Sequence, residues 1–70
     1  MLIFNVEVGT MFIYEGALFV VLPIDWEEKK YFNLCISADE NLKYDKGAKY
    51  FFDNLTEVTV VEEKKLKKLF

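Results

Sequence analysis

The chain has 70 residues, of which 53% are hydrophobic and 17% aromatic, and its formal net charge at pH 7 is −3. This length indicates one domain, close to the lower size at which a chain folds without disulfides or a bound metal. A single cysteine excludes an internal disulfide, and the absence of histidine argues against a structural zinc site. We therefore expect apolar burial to hold the fold together.

Apolar runs alternate with turn residues about every ten positions through residues 1–61, a pattern typical of a small all-β domain. Residues 2–8 are predicted as the first strand because Leu2, Phe4 and Val6 alternate along it. The other predicted strands are residues 11–14, 17–25, 31–37, 48–52 and 55–61, with a charged loop at 26–30 and a short extended piece at 42–44.

The hairpin formed by residues 11–14 and 17–25 is the clearest element of the sequence. Gly16 in its turn supplies the positive φ that tight turns need. Pro23, late in the second arm, marks an edge, a bulge or the place where the strand leaves the sheet. Neither arm alternates with polar residues, as a strand with one solvated face would. One face is expected to line the core. The other needs cover from the C-terminal segment, a second copy or a partner.

Residues 62–70 differ from the rest of the chain because acids come first and four lysines follow. That order suits the helix dipole, so the segment is predicted to be a short C-terminal helix or tail. Leu66, Leu69 and Phe70 fall on one side of such a helix and could dock on the domain. The alternative is a basic amphipathic tail for a partner or membrane surface.

Turn glycines and aromatic residues form a pattern across about residues 8–61. The pattern consists of Gly9, Phe12, Tyr14, Gly16, Leu18, Phe19, Val21, Phe52, Asp53, Thr56 and Val58. It resembles small accessory proteins of Gram-positive bacteriophages and prophages, and the hairpin also resembles KOW-type and elongation factor P N-terminal barrels. The resemblance implies an all-β, five- to six-stranded SH3-like barrel. Residues 31–49 follow the phage pattern loosely, and the lysine-rich end lies outside it.

Residue types that support catalysis are few. The chain has no histidine to act as a general base near neutral pH, and Cys35 lies in an apolar run that favours a buried thiol. Asp39, Glu40 and Asp45 do not have the spacing of a calcium loop. We therefore predict no enzymatic activity, no cofactor and no metal.

Trp26 is the most distinctive single side chain, because three acids flank it in a charged loop. It is expected to be either a lid over one end of the barrel or an anchor for a partner. The residues predicted to contact a partner are Trp26, Asp25, Glu27, Glu28, Phe19, Val21 and Tyr14. A second hypothesis is a Tudor-like cage formed by Tyr14, Tyr31, Tyr44 and Tyr50.

Charge and composition favour a protein partner over nucleic acid. Residues 1–61 hold ten acids and five lysines, and the chain has no arginine. Together with the phage resemblance, this predicts an interaction module of the bacterial cytoplasm that inhibits or redirects a host protein, for example a defence protein. We also expect a homo-oligomer and no membrane association. The alternatives are a KOW-like nucleic-acid or ribosome module, which would use Lys64, Lys65, Lys67 and Lys68, and a structural phage subunit.

Overall fold

The structure is a computed structural model that describes residues 1–61. Its elements are a 3₁₀ turn (Ile3–Asn5), β1 (Met11–Tyr14), β2 (Ala17–Val21), α1 (Trp26–Lys29), β3 (Phe32–Ser37), β4 (Lys49–Asp53) and β5 (Thr59–Val60). All five strands pair antiparallel in one sheet, in the order β4-β3-β2-β1-β5. The chain is therefore mostly β, as predicted, and the sheet is open at β4 and β5. The predicted C-terminal helix lies outside the described residues.

The predicted hairpin is confirmed as β1 and β2. Glu15 and Gly16 both have positive φ, 49° and 79°, which is the conformation of a two-residue hairpin turn whose twist matches that of the strands. The second arm ends at Val21 and does not reach residue 25. Leu22 still donates its N–H to the Leu34 carbonyl, but Pro23 has no N–H with which to continue the ladder.

The predicted strand at residues 2–8 is wrong. Ile3–Asn5 forms a 3₁₀ turn, and only Leu2 makes an isolated bridge, to Glu57. Ile3 and Val6 are the two buried residues of this segment, and residues three apart lie on the same side of a 3₁₀ turn. The residues of this segment that enter the core are therefore three positions apart, whereas a strand would place every second residue there.

Three smaller predictions also change. The charged loop at residues 26–30 contains the one-turn helix α1, and the predicted strand at 55–61 is reduced to β5. The piece at 42–44 forms bends and no strand. The strands predicted at 31–37 and 48–52 are confirmed with bounds shifted by one residue.

The core lies on the inner face of the sheet, beneath the 3₁₀ turn. Its buried members are Ile3, Val6, Phe12, Ala17, Phe19, Val21, Cys35, Phe52 and Val58. Phe19 lies at the centre: its ring centroid is 5.6 Å from that of Phe12 and 5.0 Å from those of Phe52 and Tyr44. Aromatic contacts at these distances contribute about 0.5–1.5 kcal/mol each beyond the area that they bury.

The opposite side of the sheet, here called the outer face, is also largely apolar. Cross-strand register places its members: the apolar ones are Met11, Ile13, Leu18, Val20, Phe32, Leu34, Ile36 and Phe51, and the polar ones are Lys49, Asp53 and Thr59. Ile13 and Phe51 are exposed, at 39% and 66%. The two-faced hydrophobicity of the hairpin thus extends across β3 and into β4.

Candidate functional site

An exposed cluster of one tryptophan and three acidic residues lies at α1. Trp26 is 66% exposed, and Asp25, Glu27 and Glu28 beside it are exposed as well. These four residues are called the Trp26 patch. The helix forms because the Asp25 carbonyl accepts the N–H groups of Glu28 and Lys29, at 3.0 and 2.9 Å. Two acids in its first turn are favourable at the positive end of the helix dipole.

Trp26 does not act as a lid over the inner core. It is not a member of the core cluster, and two thirds of its surface faces solvent. Tyr31, which follows α1, is 71% exposed and donates its N–H to the Glu28 carbonyl. Two large aromatic side chains therefore lie in solvent at the same end of the sheet, close to three carboxylates.

A part-buried network of hydrogen bonds joins α1 to the sheet. Asn33, on the inner face of β3, is 0% exposed and donates its Nδ2 to Oδ1 of Asn54 at 2.6 Å. Asn54 in turn donates its Nδ2 to the Lys29 carbonyl at 2.8 Å, and Lys29 Nζ donates to Asn33 Oδ1 at 3.3 Å. The network joins α1, β3 and the β4–β5 connection, so the Trp26 patch is attached to the core through Asn33 and Asn54. Neither asparagine was predicted from the sequence to belong to the site.

Three of the four tyrosines proposed as a cage come together, and one does not. Tyr14, Tyr44 and Tyr50 pack on the core at the hairpin end, whereas Tyr31 lies beside α1. Tyr44 and Tyr50 meet edge to face with ring centroids 5.2 Å apart. Their rings also contact Phe19, so these tyrosines extend the core and do not form a four-walled box.

Tyr44 and Glu15 form the best-defined polar contact near the hairpin turn. The Tyr44 hydroxyl donates to Glu15 Oε1 at 2.6 Å, and Lys43 Nζ lies 3.4 Å from Oε2. The hydrogen bond lowers the pKa of Glu15, with Lys43 acting in the same direction. The same bond raises the pKa of Tyr44 to about 12, since it favours the neutral phenol beside a carboxylate.

This contact predicts a loss of stability in alkali. The unfolded chain loses the Tyr44 proton near pH 10 and the folded chain near pH 12, so the contribution of Tyr44 is complete below pH 10 and falls between the two values. Tyr44→Phe should make the denaturant midpoint less dependent on pH in this interval. Tyr31→Phe, at an exposed position, is the matched control. Equal pH dependence of the two variants would contradict the prediction.

The hairpin residues predicted to contact a partner lie in two different environments, the core and the hairpin turn. Phe19 and Val21 are 0% and 1% exposed and belong to the core, so that placement is corrected: they are not available to a partner. Leu18 and Val20 hold the outer-face positions on the same strand. Tyr14 is half-buried and lines a depression of about 450 Å³ at the hairpin turn, away from the Trp26 patch. A hairpin that is apolar on both faces does not reveal from sequence which face turns inward.

The chemistry offered by the remaining side chains is limited. Cys35 is fully buried, and burial raises the pKa of its thiol to about 12, so the thiolate is not populated near neutral pH. Within residues 1–61, no three His, Cys, Asp or Glu side chains are grouped so as to hold a metal ion. In the same part of the chain, no helix has the length and apolarity required to cross a membrane.

The chain matches no protein-family model, no curated protein and no solved structure.

Proposed function

We propose that this chain is a non-enzymatic protein-interaction module whose Trp26 patch binds a basic surface of a partner protein. The observation that carries the proposal is the exposure of Trp26, at 66%, on a helix that has three carboxylates beside it and is joined to the sheet by a part-buried hydrogen-bond network. Tryptophan is enriched among the residues that dominate binding free energy at interfaces. Its placement on an anchored element reduces the entropy lost when a partner binds.

Charge supports a basic partner. Residues 1–61 contain ten acids and five lysines, so the field around the domain favours positively charged surfaces. Three of those lysines are engaged within the chain: Lys30 with Glu27, Lys43 with Glu15 and Lys29 with Asn33. The excess of acids disfavours binding of a phosphate backbone by residues 1–61, so the KOW-like alternative would depend on the lysines of residues 62–70.

The resemblance to phage accessory proteins extends the proposal to the partner. We propose a phage-encoded protein that binds a host protein in the bacterial cytoplasm and inhibits or redirects it. An SH3-like barrel belongs to the same proposal. It is supported by the antiparallel pairing of β5, the last strand, with β1, the first.

Replacing Trp26 with alanine is expected to weaken partner binding by about 2 kcal/mol or more, roughly 30-fold, if Trp26 is the anchor. The partner is first captured from host lysate on the wild-type chain and purified. Its affinity is then measured by isothermal titration calorimetry for wild type, Trp26→Ala and the control Leu42→Ala. Leu42 is fully exposed outside the patch, at 107%, so the control should bind like wild type.

The charge component is tested with Glu27→Gln combined with Glu28→Gln. This variant should associate more slowly and depend less on salt, because rim charges act mainly on the association rate. The proposal fails if the wild-type chain retains nucleic acid and no protein. It also fails if Trp26→Ala binds the captured protein as tightly as Leu42→Ala does.

A further inference from the structure

β4 forms the longer of the two margins of the sheet in residues 1–61. It has five residues, Lys49–Asp53, and is paired on one side only, with β3. β5, at the other margin, has two residues, and Leu2 bridges to Glu57 shortly before it. An edge strand is a template for pairing with a further strand, because the sheet does not use its outward N–H and carbonyl groups. Pairing with another chain therefore has the most room at β4.

The ladder with β3 shows which groups of β4 point outward. Ser37 donates its N–H to the Ala48 carbonyl at 2.9 Å. Because the hydrogen-bonding direction alternates along an antiparallel strand, the even-numbered residues of β4 face β3, and Lys49, Phe51 and Asp53 face away. Within residues 1–61, the N–H groups of these three residues and the carbonyls of Lys49 and Phe51 form no hydrogen bond with another part of the chain, whereas the Asp53 carbonyl accepts an N–H in the following turn. These outward groups are available to a further strand.

The sequence of this edge is complementary to itself. When two β4 strands pair antiparallel about Phe51, the outward groups of one copy meet the outward groups of the other, because residues 49, 51 and 53 are evenly spaced. The same register places Lys49 of each copy opposite Asp53 of the other, and both side chains are exposed. Opposite charges directly across a strand pair stabilise it, and like charges destabilise it. Parallel pairing in register would instead place lysine opposite lysine.

The two charged side chains are also available in the single chain. Lys49 forms no ion pair within residues 1–61. The Asp53 carboxylate accepts the Leu55 N–H at 2.9 Å through Oδ1 only, which leaves Oδ2 for a cation. Charged residues on an edge strand commonly prevent pairing. Here the register that satisfies the backbone also brings each charge opposite its counterpart.

We infer that the edge of β4 is a homodimer interface, at which two copies of this chain join their sheets about a two-fold axis between their Phe51 residues. Phe51 exchanges two hydrogen bonds with Phe51 of the second copy, and each Asp53 N–H donates to the Lys49 carbonyl of the other copy. The Phe51 side chains, 66% exposed in one chain, meet across the joint. The homo-oligomer expected from the sequence thereby has a defined interface. The inference does not depend on the proposed function, which uses α1.

The joined surface is small. A five-residue strand is about 17 Å long, so edge-to-edge pairing buries less than the roughly 800 Å² per partner of a stable complex. We therefore expect a weak dimer, with a dissociation constant on the order of 100 µM. A second copy is a better match than an unrelated segment, because it brings the opposite charge to both Lys49 and Asp53 in the register that the backbone requires.

Isotope-filtered nuclear Overhauser spectroscopy tests the interface on the wild-type chain. Chain labelled with carbon-13 and nitrogen-15 is mixed with chain at natural abundance, at about 1 mM and thus well above the expected dissociation constant. The expected signal joins the α protons of Tyr50 in one copy and Phe52 in the other, because these residues form the close pair of the ladder, with Cα atoms about 4.5 Å apart. The filter rejects signals that arise within one chain.

Charge reversal tests the register. Lys49→Glu places two like-charge pairs in the dimer and should raise the dissociation constant at least about fivefold, as measured from amide chemical shifts on dilution. Combining it with Asp53→Lys restores both opposite-charge pairs and should return the constant to within about twofold of wild type. Lys46→Glu, exposed in the turn before β4, changes the net charge equally and is the matched control. Circular dichroism checks that the double variant is folded, since Asp53 also accepts the Leu55 N–H.

Four results would overturn the inference. The first is a chain that stays monomeric at about 1 mM, which would leave the edge to a segment of another protein. The second is a set of intermolecular signals from the outer face in place of β4. The third is a set of signals between Phe51 and residues 62–70 of the same chain, which would show that the edge is covered internally. The fourth is equal weakening by Lys49→Glu and Lys46→Glu. If the double variant does not fold, the signal between Tyr50 and Phe52 decides the question on the unmodified chain.

Discussion

Phe19→Ala is expected to lower the free energy of unfolding by about 3–5 kcal/mol, which would unfold most of the protein at room temperature. A buried phenylalanine cut to alanine typically has an effect of this size, because the transfer term and the remaining cavity both oppose folding. Phe19 is 0% exposed and contacts Phe12, Phe52, Tyr44 and Tyr50. A single core in a chain this short rarely supplies more than about 3–5 kcal/mol in total.

The effect is measured by urea unfolding with far-ultraviolet circular dichroism as the probe. Phe51→Ala is the matched control, because Phe51 has the same side chain on the outer face and is 66% exposed. Its free energy of unfolding should fall by about 1 kcal/mol or less, since little area is lost from contact with the core. Similar destabilisation by the two variants would show that Phe51 on the outer face contributes as much to stability as Phe19 in the core, and would contradict the prediction.

The hairpin could be predicted from sequence because local chemistry decides it. Glycine in the turn and proline after the second arm restrict the backbone directly, whatever the rest of the chain does. The segment at residues 2–8 could not be predicted in this way. Its alternating residues are compatible with a strand, but tertiary packing of Ile3 and Val6 on the core selects a 3₁₀ turn. Local pattern was overridden by burial.

Only the part of the candidate site that is local in sequence could be predicted. The Trp26 patch consists of consecutive residues, and its exposed members follow from the charged character of that stretch. Phe19 and Val21 were assigned to a partner because both faces of the hairpin are apolar, and only the positions of the other strands decide which face is inner. The amide network depends on Asn33 and Asn54, which are 21 residues apart, so no local pattern reveals it.

Removing the Asn54 side chain is expected to destabilise the fold by about 1–3 kcal/mol. Asn54→Ala deprives Asn33 Nδ2 of its acceptor and the Lys29 carbonyl of a donor, and a buried polar group left without a partner retains its desolvation penalty. Asn41→Ala is the matched control, because the Asn41 side chain accepts the Lys43 N–H at an exposed turn. It should shift unfolding by well under half as much.

Hydrogen exchange distinguishes loss of the network from a general loss of stability. The amides of Glu28 and Lys29 bond to the Asp25 carbonyl, so they should lose protection in Asn54→Ala by a larger factor than the amide of Val20 in the central hairpin. A double-mutant cycle with Asn33→Ala should give a coupling free energy of about 0.5–3 kcal/mol. Additive effects, or equal loss of protection at α1 and β2, would mean that the two asparagines act separately. In that case other contacts between α1 and β3 would have to hold the Trp26 patch in place.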